Sequence, residues 1–328
     1  MPFATTHPML LEVQDLVVNF ALRGGDLTAL NGISFSLDKG QRLGLVGESG
    51  AGKSVAGFSI INLISKPGYI AGGKVLFQGR EISAMSFEQL RRIRGNVINM
   101  VFQDPMMTLN PVLTIGTQMR ETIQAHQDIS DKEATALAVD KLRQVHIPSP
   151  EKRLHQYPHE FSGGMRQRII IAIALLNNPQ LIIADEPTTA LDVTIQAEIM
   201  DLFLELCSQQ EMGLILITHD LAVVSETTEK MAVMYAGQVV EQGPTDAVID
   251  DPQHPYTKGL IAALPQIEQR GTRLSQIPGT MPNLTSIPPG CSFHPRCPMA
   301  QDVCSQHTPD LLPTQARARL VACHRFQP

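Results

Sequence analysis

Eight consecutive residues, GESGAGKS from Gly47 to Ser54, fit the spacing G-x-x-x-x-G-K-[ST]. Gly47, Gly50 and Gly52 let the backbone curl, so that the N–H groups of the run Glu48, Ser49, Gly50, Ala51 and Gly52 turn inward, toward phosphate oxygens. Lys53 then reaches the β- and γ-phosphates of a nucleotide, and the Ser54 hydroxyl ligates magnesium. Further along, LIIADEP closes an apolar run with two adjacent carboxylates. Asp185 stands where a buried strand delivers a residue to a magnesium shell, and Glu186 can orient or deprotonate an attacking water. In EFSGGMRQR, Ser162 is an N-cap, and Gly163 and Gly164 leave the first-turn N–H groups open to an anion. Each segment has a plainer structural alternative: a glycine-rich turn, a strand-end carboxylate, a helix cap. Their joint presence in one chain favours nucleotide chemistry.

Elements must carry these groups to one place. RLGLV before the loop and VAGFSIINLI after it read as a strand and a helix, which makes the chain α/β. From Lys53 to Asp185 is 132 residues, more than one strand–helix–strand crossover needs. The intervening patterns, SFEQLRRIRG and DKEATALAVDKLRQV, are mostly helical, so a helical insertion is expected over about 85–165. The basic run RRIR at 91–94 reads as a solvated helix face.

The composition limits the alternatives. With 328 residues, 43% hydrophobic and 18% charged, the chain can bury a sizeable core and is not a disordered type. A net charge of −6 argues against nucleic acid as a partner. No apolar stretch approaches the ~20 residues that cross a bilayer, and MPFATTHPMLLEVQDL lacks the pattern of a signal peptide. The expected location is therefore cytoplasmic, where thiols stay reduced and disulfides are not expected. Cys207, within AEIMDLFLELC, reads as a small buried apolar residue.

In order, GESGAGKS, VFQD, SGG, LIIADEP, ALD and LITHD resemble the motifs of the ATP-binding subunits of ABC transporters, over residues of about 10 to 250. The resemblance implies a P-loop NTPase (RecA-like) core with an antiparallel β subdomain and an inserted α-helical subdomain. Domain limits of 9–250 for the ATP-binding domain and 251–328 for a C-terminal extension follow. It also implies roles. Gln103 looks like the glutamine that touches magnesium and senses the membrane subunit. FSGGM at 161–165 looks like the signature sequence, departing from the family's L-S-G-G-Q at its first and last positions. Ser162, Gly163 and Gly164 would contact a γ-phosphate, without the hydrogen bonds that glutamine would make at Met165. Asp192 looks like the residue that communicates across a dimer, His219 like the switch histidine at the γ-phosphate, and Phe20 like an aromatic that stacks on adenine. In this family the signature helix faces the phosphate loop of a partner subunit. ATP closes the pair, and hydrolysis lets it open. The implied partners are a second ATPase subunit, homologous or identical, two transmembrane permease subunits and, indirectly, an extracytoplasmic substrate-binding protein. The implied location is the cytoplasmic face of the inner membrane.

The tail narrows this reading. HPYTKGLIAALP at 254–265 and VFQDPMMTLNP at 101–111 resemble ATPases of dipeptide, oligopeptide and nickel importers. Four cysteines, Cys291, Cys297, Cys304 and Cys323, have the spacing C-x5-C-x6-C-x18-C. Four thiolates could bind zinc or an iron–sulfur cluster, and the spacing alone leans to neither. Resemblance to dipeptide-permease ATPases tips the expectation to a four-iron four-sulfur cluster, with zinc as the alternative. A metal clip would suit a short tail with few aromatic residues. His294 and His324 read as neighbours of that site and not as ligands. Two other functions are alternatives: a soluble ABC ATPase acting on DNA or ribosomes, and a metal- or redox-sensing regulatory ATPase. The first expects a long coiled-coil insertion or two fused nucleotide domains, and intact Glu186 and His219 argue for turnover.

Overall fold

Strand β1 (Met9–Leu22) buries Leu11 and Val13, then Leu16 and Val18, although a strict two-residue alternation would put the second pair on the opposite face. A bulge restores the phase: Asp15 takes φ 46° and the register with β2 (Gly25–Asp38) shifts between Val13 and Leu16. Ser34 holds the bulge, accepting the Asp15 N–H at 2.8 Å and donating to its Oδ1 at 3.0 Å. The computed structural model describes residues 9–104, 108–189, 191–264, 276–314 and 319–327. Residues 105–107 within VFQDPMMTLNP, Ala190 of ALD and Pro265 of HPYTKGLIAALP lie outside them. The chain forms two compact units, Met1–Ala84 with Leu216–Pro328, and Met85–Ile215.

In the first unit, β1 and β2 join β4 (Gly68–Phe77) and β5 (Arg80–Glu81) in an antiparallel sheet of order β2-β1-β4-β5. This is the antiparallel β subdomain that the sequence implied. A second group begins with β3 (Arg42–Val46), which is buried from Leu43 onward, as a parallel strand covered on both faces must be. It runs parallel to β9 (Lys230–Tyr235), with Leu43 opposite Lys230 and Val46 opposite Val233. β9 turns at Ala236 and Gly237, both at positive φ, into antiparallel β10 (Gln238–Pro244). The tail then adds β12 (Leu320–Val321) against β10 and β11 (Leu312–Pro313) against β12. Helix Pro255–Ala262 begins the tail. Its N-cap is His254, whose Nδ1 accepts the Tyr256 N–H at 3.1 Å.

The second unit pairs β6 (Ile98–Val101) in parallel with β7 (Leu181–Asp185). The stretch read as mostly helical thus also holds a short strand. Its helices are Phe87–Ile93, Ile115–Gln124, Asp131–Gln144 and Pro150–Arg153. Ser86 and Ser130 form capping boxes with Gln89 and Glu133, and Thr114 caps through its hydroxyl. Arg91 and Arg92 are exposed beside Glu88, the solvated face expected of RRIR. Helices Gly163–Leu175 and Val193–Gln210 complete the unit. The Asn99 side chain donates to the Ala174 carbonyl at 2.9 Å and ties β6 to the first of these two. Cys207 is buried on the second, as its apolar neighbours predicted.

Candidate functional site

The phosphate loop follows β3 directly and ends at helix Lys53–Ile60. Gly47 is required by space, because a Cβ there would lie 2.3 Å from the Met234 carbonyl oxygen. Gly52, the helix N-cap, has φ 100° and offers no side-chain cap. Helices with Ser86, Thr114 or Ser130 at that position use a side-chain oxygen to satisfy a first-turn N–H. Helix Lys53–Ile60 lacks that internal acceptor, and its positive end suits an external anion. Lys53 is nearly buried and turns its ammonium back onto the loop, donating to the carbonyls of Gly47 at 2.8 Å and Glu48 at 3.0 Å. The ammonium thus stands against the loop's own backbone carbonyls.

Two further expected residues belong to this unit. Phe20 is half-buried near the end of β1 and packs against Gly68, where an added Cβ would lie 2.8 Å from the ring. His219 is exposed immediately after β8 (Gly213–Thr218). Asp220 behind it caps helix Leu221–Thr227 by accepting the N–H groups of Ala222 and Val223. A cavity of about 630 Å³, lined by Val13, Phe35, Met231 and Arg319 among others, lies elsewhere in the first unit and includes none of the predicted residues.

The second unit brings Gln103 and Glu186 together across 83 positions of sequence. The Gln103 amide donates to Glu186 Oε2 at 3.1 Å, and the Thr189 hydroxyl donates to the same oxygen at 2.9 Å. Glu186 lies just past β7 with φ 45°, a strained conformation for a residue with a side chain. The two donors therefore fix a carboxylate that the backbone alone would not hold there. Thr189 had no sequence signal beyond its place in DEPTTALD. Asp185, the last residue of β7, is almost fully buried. Ser162 caps its helix by accepting the Met165 N–H at 3.4 Å, with Gly163 and Gly164 in the first turn. Asp192 is exposed and caps helix Val193–Gln210, accepting from the Ile195 N–H at 3.0 Å. Both caps are local; the one at Ser162 matches the helix start expected from the sequence, whereas Asp192 carried no such expectation.

The four-cysteine expectation fails. Among the described residues no group of three or more His, Cys, Asp or Glu side chains is arranged to hold a metal ion. The iron–sulfur reading of Cys291, Cys297, Cys304 and Cys323, and its zinc alternative, are overturned. Burial first, then the neighbouring thiols, push the Cys291 thiol up to about 11. Burial likewise raises Cys297 and Cys323. Protonated thiols are poor ligands. The loop is held by other means: the Cys291 N–H donates to the Cys304 carbonyl at 2.8 Å, and Phe293 is buried. Phe293 meets Tyr235 and Tyr256 with ring centroids 5.2 and 5.4 Å away. Few as the aromatic residues of the tail are, Phe293 packs on the tail's own Tyr256 and on Tyr235 of β9, and that burial anchors the loop without a metal. His294 and His324 hydrogen-bond to the backbone carbonyls of Cys291 and His307.

Comparison with known proteins agrees with this architecture. The ABC transporter family matches residues 30–189, and the oligopeptide/dipeptide transporter C-terminal region matches residues 240–304. The oligopeptide transport ATP-binding protein OppD of Bacillus subtilis (strain 168) is 49% identical over 92% of this chain and 85% of its own length. OppD of Salmonella typhimurium is 47% identical over 97% and 94%. The dipeptide transport ATP-binding protein DppD of Bacillus subtilis is 48% identical over 92% and 90%. Among solved structures, the dimeric ABC transporter cassette MJ0796 superposes with a TM-score of 0.65 at 25% identity, over 72% of this chain and 99% of that one. The cbiO1 subunit from Clostridium perfringens gives 0.63 at 26% identity, over 74% and 92%. By sequence along nearly its whole length, the chain belongs to the ATP-binding proteins of ABC peptide transporters.

Proposed function

We infer that this chain hydrolyses ATP to drive import of peptides through an ABC membrane transporter. The observation that carries the inference is the phosphate loop with Lys53 turned onto the Gly47 and Glu48 carbonyls, in a chain whose tail matches the oligopeptide/dipeptide transporter region. In this reading the N–H groups of Ser49 to Ser54 receive the phosphates, and Lys53 exchanges its backbone acceptors for phosphate oxygens. Ser54, Asp185 and Gln103 would hold magnesium. Magnesium sites of this kind use only one or two carboxylates, here Asp185, beside phosphate oxygens and water. Glu186, fixed by Gln103 and Thr189, accepts a proton from the attacking water, and His219 contacts the γ-phosphate. Phe20 stacks on the base. Ser162, Gly163 and Gly164 close on the nucleotide of a second ATPase subunit, with Asp192 at the same interface. Residues 9–250 form the ATP-binding domain and 251–328 the peptide-transporter extension.

The proposed assembly has two ATPase subunits, two permease subunits and an extracytoplasmic binding protein, at the cytoplasmic face of the membrane. No helix among the described residues is long and apolar enough to cross a bilayer, so the permeases would supply the attachment. The test replaces the chromosomal copy by Glu186→Gln and measures uptake of labelled di- and oligopeptides. Uptake should fall to background while the purified variant still binds ATP. Peptide uptake at the wild-type rate would reject the function.

A further inference from the structure

The C-terminal segment grips the phosphate loop at one residue, Glu48. Arg296, from the cysteine-containing loop, makes two parallel hydrogen bonds to the Glu48 carboxylate, Nη1 to Oε2 at 2.8 Å and Nη2 to Oε1 at 3.0 Å. Tyr256, from helix Pro255–Ala262, accepts the Glu48 backbone N–H on its hydroxyl at 2.8 Å. The Glu48 carbonyl accepts from Lys53 at 3.0 Å. Side chain, N–H and carbonyl of this one loop residue are thus all held, two of them by the tail.

Arg296 is built in rather than draped over the surface. It is 8% exposed, and its Nε donates to the Pro278 carbonyl at 2.9 Å. Its guanidinium carbon lies 5.7 Å from the centre of the Tyr235 ring and 5.9 Å from that of Phe293. The Glu48 side chain keeps 29% of its exposure, so the pair sits at the rim of the loop, where the charge of a nucleotide would be felt. A loop that receives a polyphosphate is a poor place for a free carboxylate. The nearest cation of its own motif, Lys53, is assigned to the phosphates.

We propose that Arg296 is a positioning residue for nucleotide binding, neutralising the Glu48 carboxylate so that the phosphate loop can accept a polyanion. The proposal rests on reading Gly47–Ser54 as the nucleotide site. It gives the cysteine-containing loop a role that needs no metal: it delivers an arginine to the loop's acid, 248 residues away in sequence. The bidentate geometry suits arginine, since a lysine at 296 would offer a point charge and lose the fork.

Titration of a fluorescent ATP analogue into the full-length chain, with magnesium, separates the possibilities. Lys53→Ala should abolish binding. Arg296→Met should weaken it about tenfold, the order expected for an uncompensated charge near a phosphate. In steady state the loss should fall on KM more than on kcat. Adding Glu48→Gln to Arg296→Met should restore affinity to about threefold of wild type, because a neutral amide repels no phosphate. A tail that had merely failed to fold would not be rescued by a change in the loop. Arg296→Lys should lie between, about threefold weak. Wild-type affinity in Arg296→Met, alongside lost binding in Lys53→Ala, overturns the proposal and leaves the nucleotide site standing. So does a weakened Arg296→Met that Glu48→Gln fails to restore. Unchanged binding in Lys53→Ala would instead reject the phosphate-loop reading, and this proposal with it.

Discussion

His254 should make the tail acid-sensitive, by an amount that the structure allows to be worked out. The ring is fully buried, and burial lowers its pKa from 6.5 to about 3. Its Nδ1 accepts the Tyr256 N–H, so the neutral ring is the form that caps helix Pro255–Ala262. A proton on Nδ1 would remove that acceptor. Because the folded pKa lies below the unfolded one, the contribution is complete above pH 6.5 and is lost as the pH falls toward 3. At pH 5 an unfolded imidazole is almost wholly protonated and the folded one is not. The linkage loss between pH 7 and pH 5 is then about 2 kcal/mol. Two charged groups lie close by. Glu241 accepts the N–H groups of Gln253 and His254, and buried Arg319 stands 4.0 Å from the Glu241 carboxylate. Burial raises the pKa of Glu241, so its own contribution grows as the pH falls and opposes that of His254. A difference between two proteins removes this term. His254→Asn keeps an oxygen able to cap and abolishes the titration. Hydrogen exchange at the Tyr256 amide, corrected for intrinsic rates, gives the opening free energy at each pH. Wild type should lose about 2 kcal/mol more than His254→Asn between pH 7 and pH 5. Parallel profiles for the two proteins would refute the assignment of a buried neutral imidazole.

Two more consequences concern the cysteine-containing loop. Phe293→Ala should destabilise the protein by about 3–5 kcal/mol, read by denaturant unfolding, because it removes a buried ring packed against both Tyr235 and Tyr256. A loss under 1 kcal/mol would mean that the ring does not anchor the tail. Cys291, raised to about 11, should react with iodoacetamide at pH 8 about a hundredfold more slowly than a thiol of ordinary pKa. Mass spectrometry of the alkylated native protein would show this, and rapid labelling at that site would contradict it.

Much of the nucleotide half was legible in the sequence because its determinants are local. A phosphate loop is eight residues of backbone whose glycine and lysine spacing is read directly, although the atoms that exclude a side chain at Gly47 and Gly52 belong to Met234 and to Ala29 and Leu30. The N-cap at Ser162 bonds an N–H three residues away. Side-chain types and spacing therefore carry that information directly. The bulge at Asp15 is also local, yet its neighbours Gln14 and Leu16 give no sign of it, and only the paired strand reveals the change of phase.

What spacing cannot encode is how distant segments face one another. The Gln103–Glu186 hydrogen bond depends on β6 lying beside β7, a pairing across 83 residues that either motif alone leaves open. The cysteines show the same limit from the other side. Their count and spacing allowed a metal centre, but ligation needs side chains converging within bonding distance, and among the described residues no such group forms. Arg296 lay unread inside that same stretch. Its meaning comes from an ion pair formed when β9, β10 and the tail pack around the phosphate loop, and free energy of that kind is set by three-dimensional proximity and shared burial, which a linear sequence does not contain.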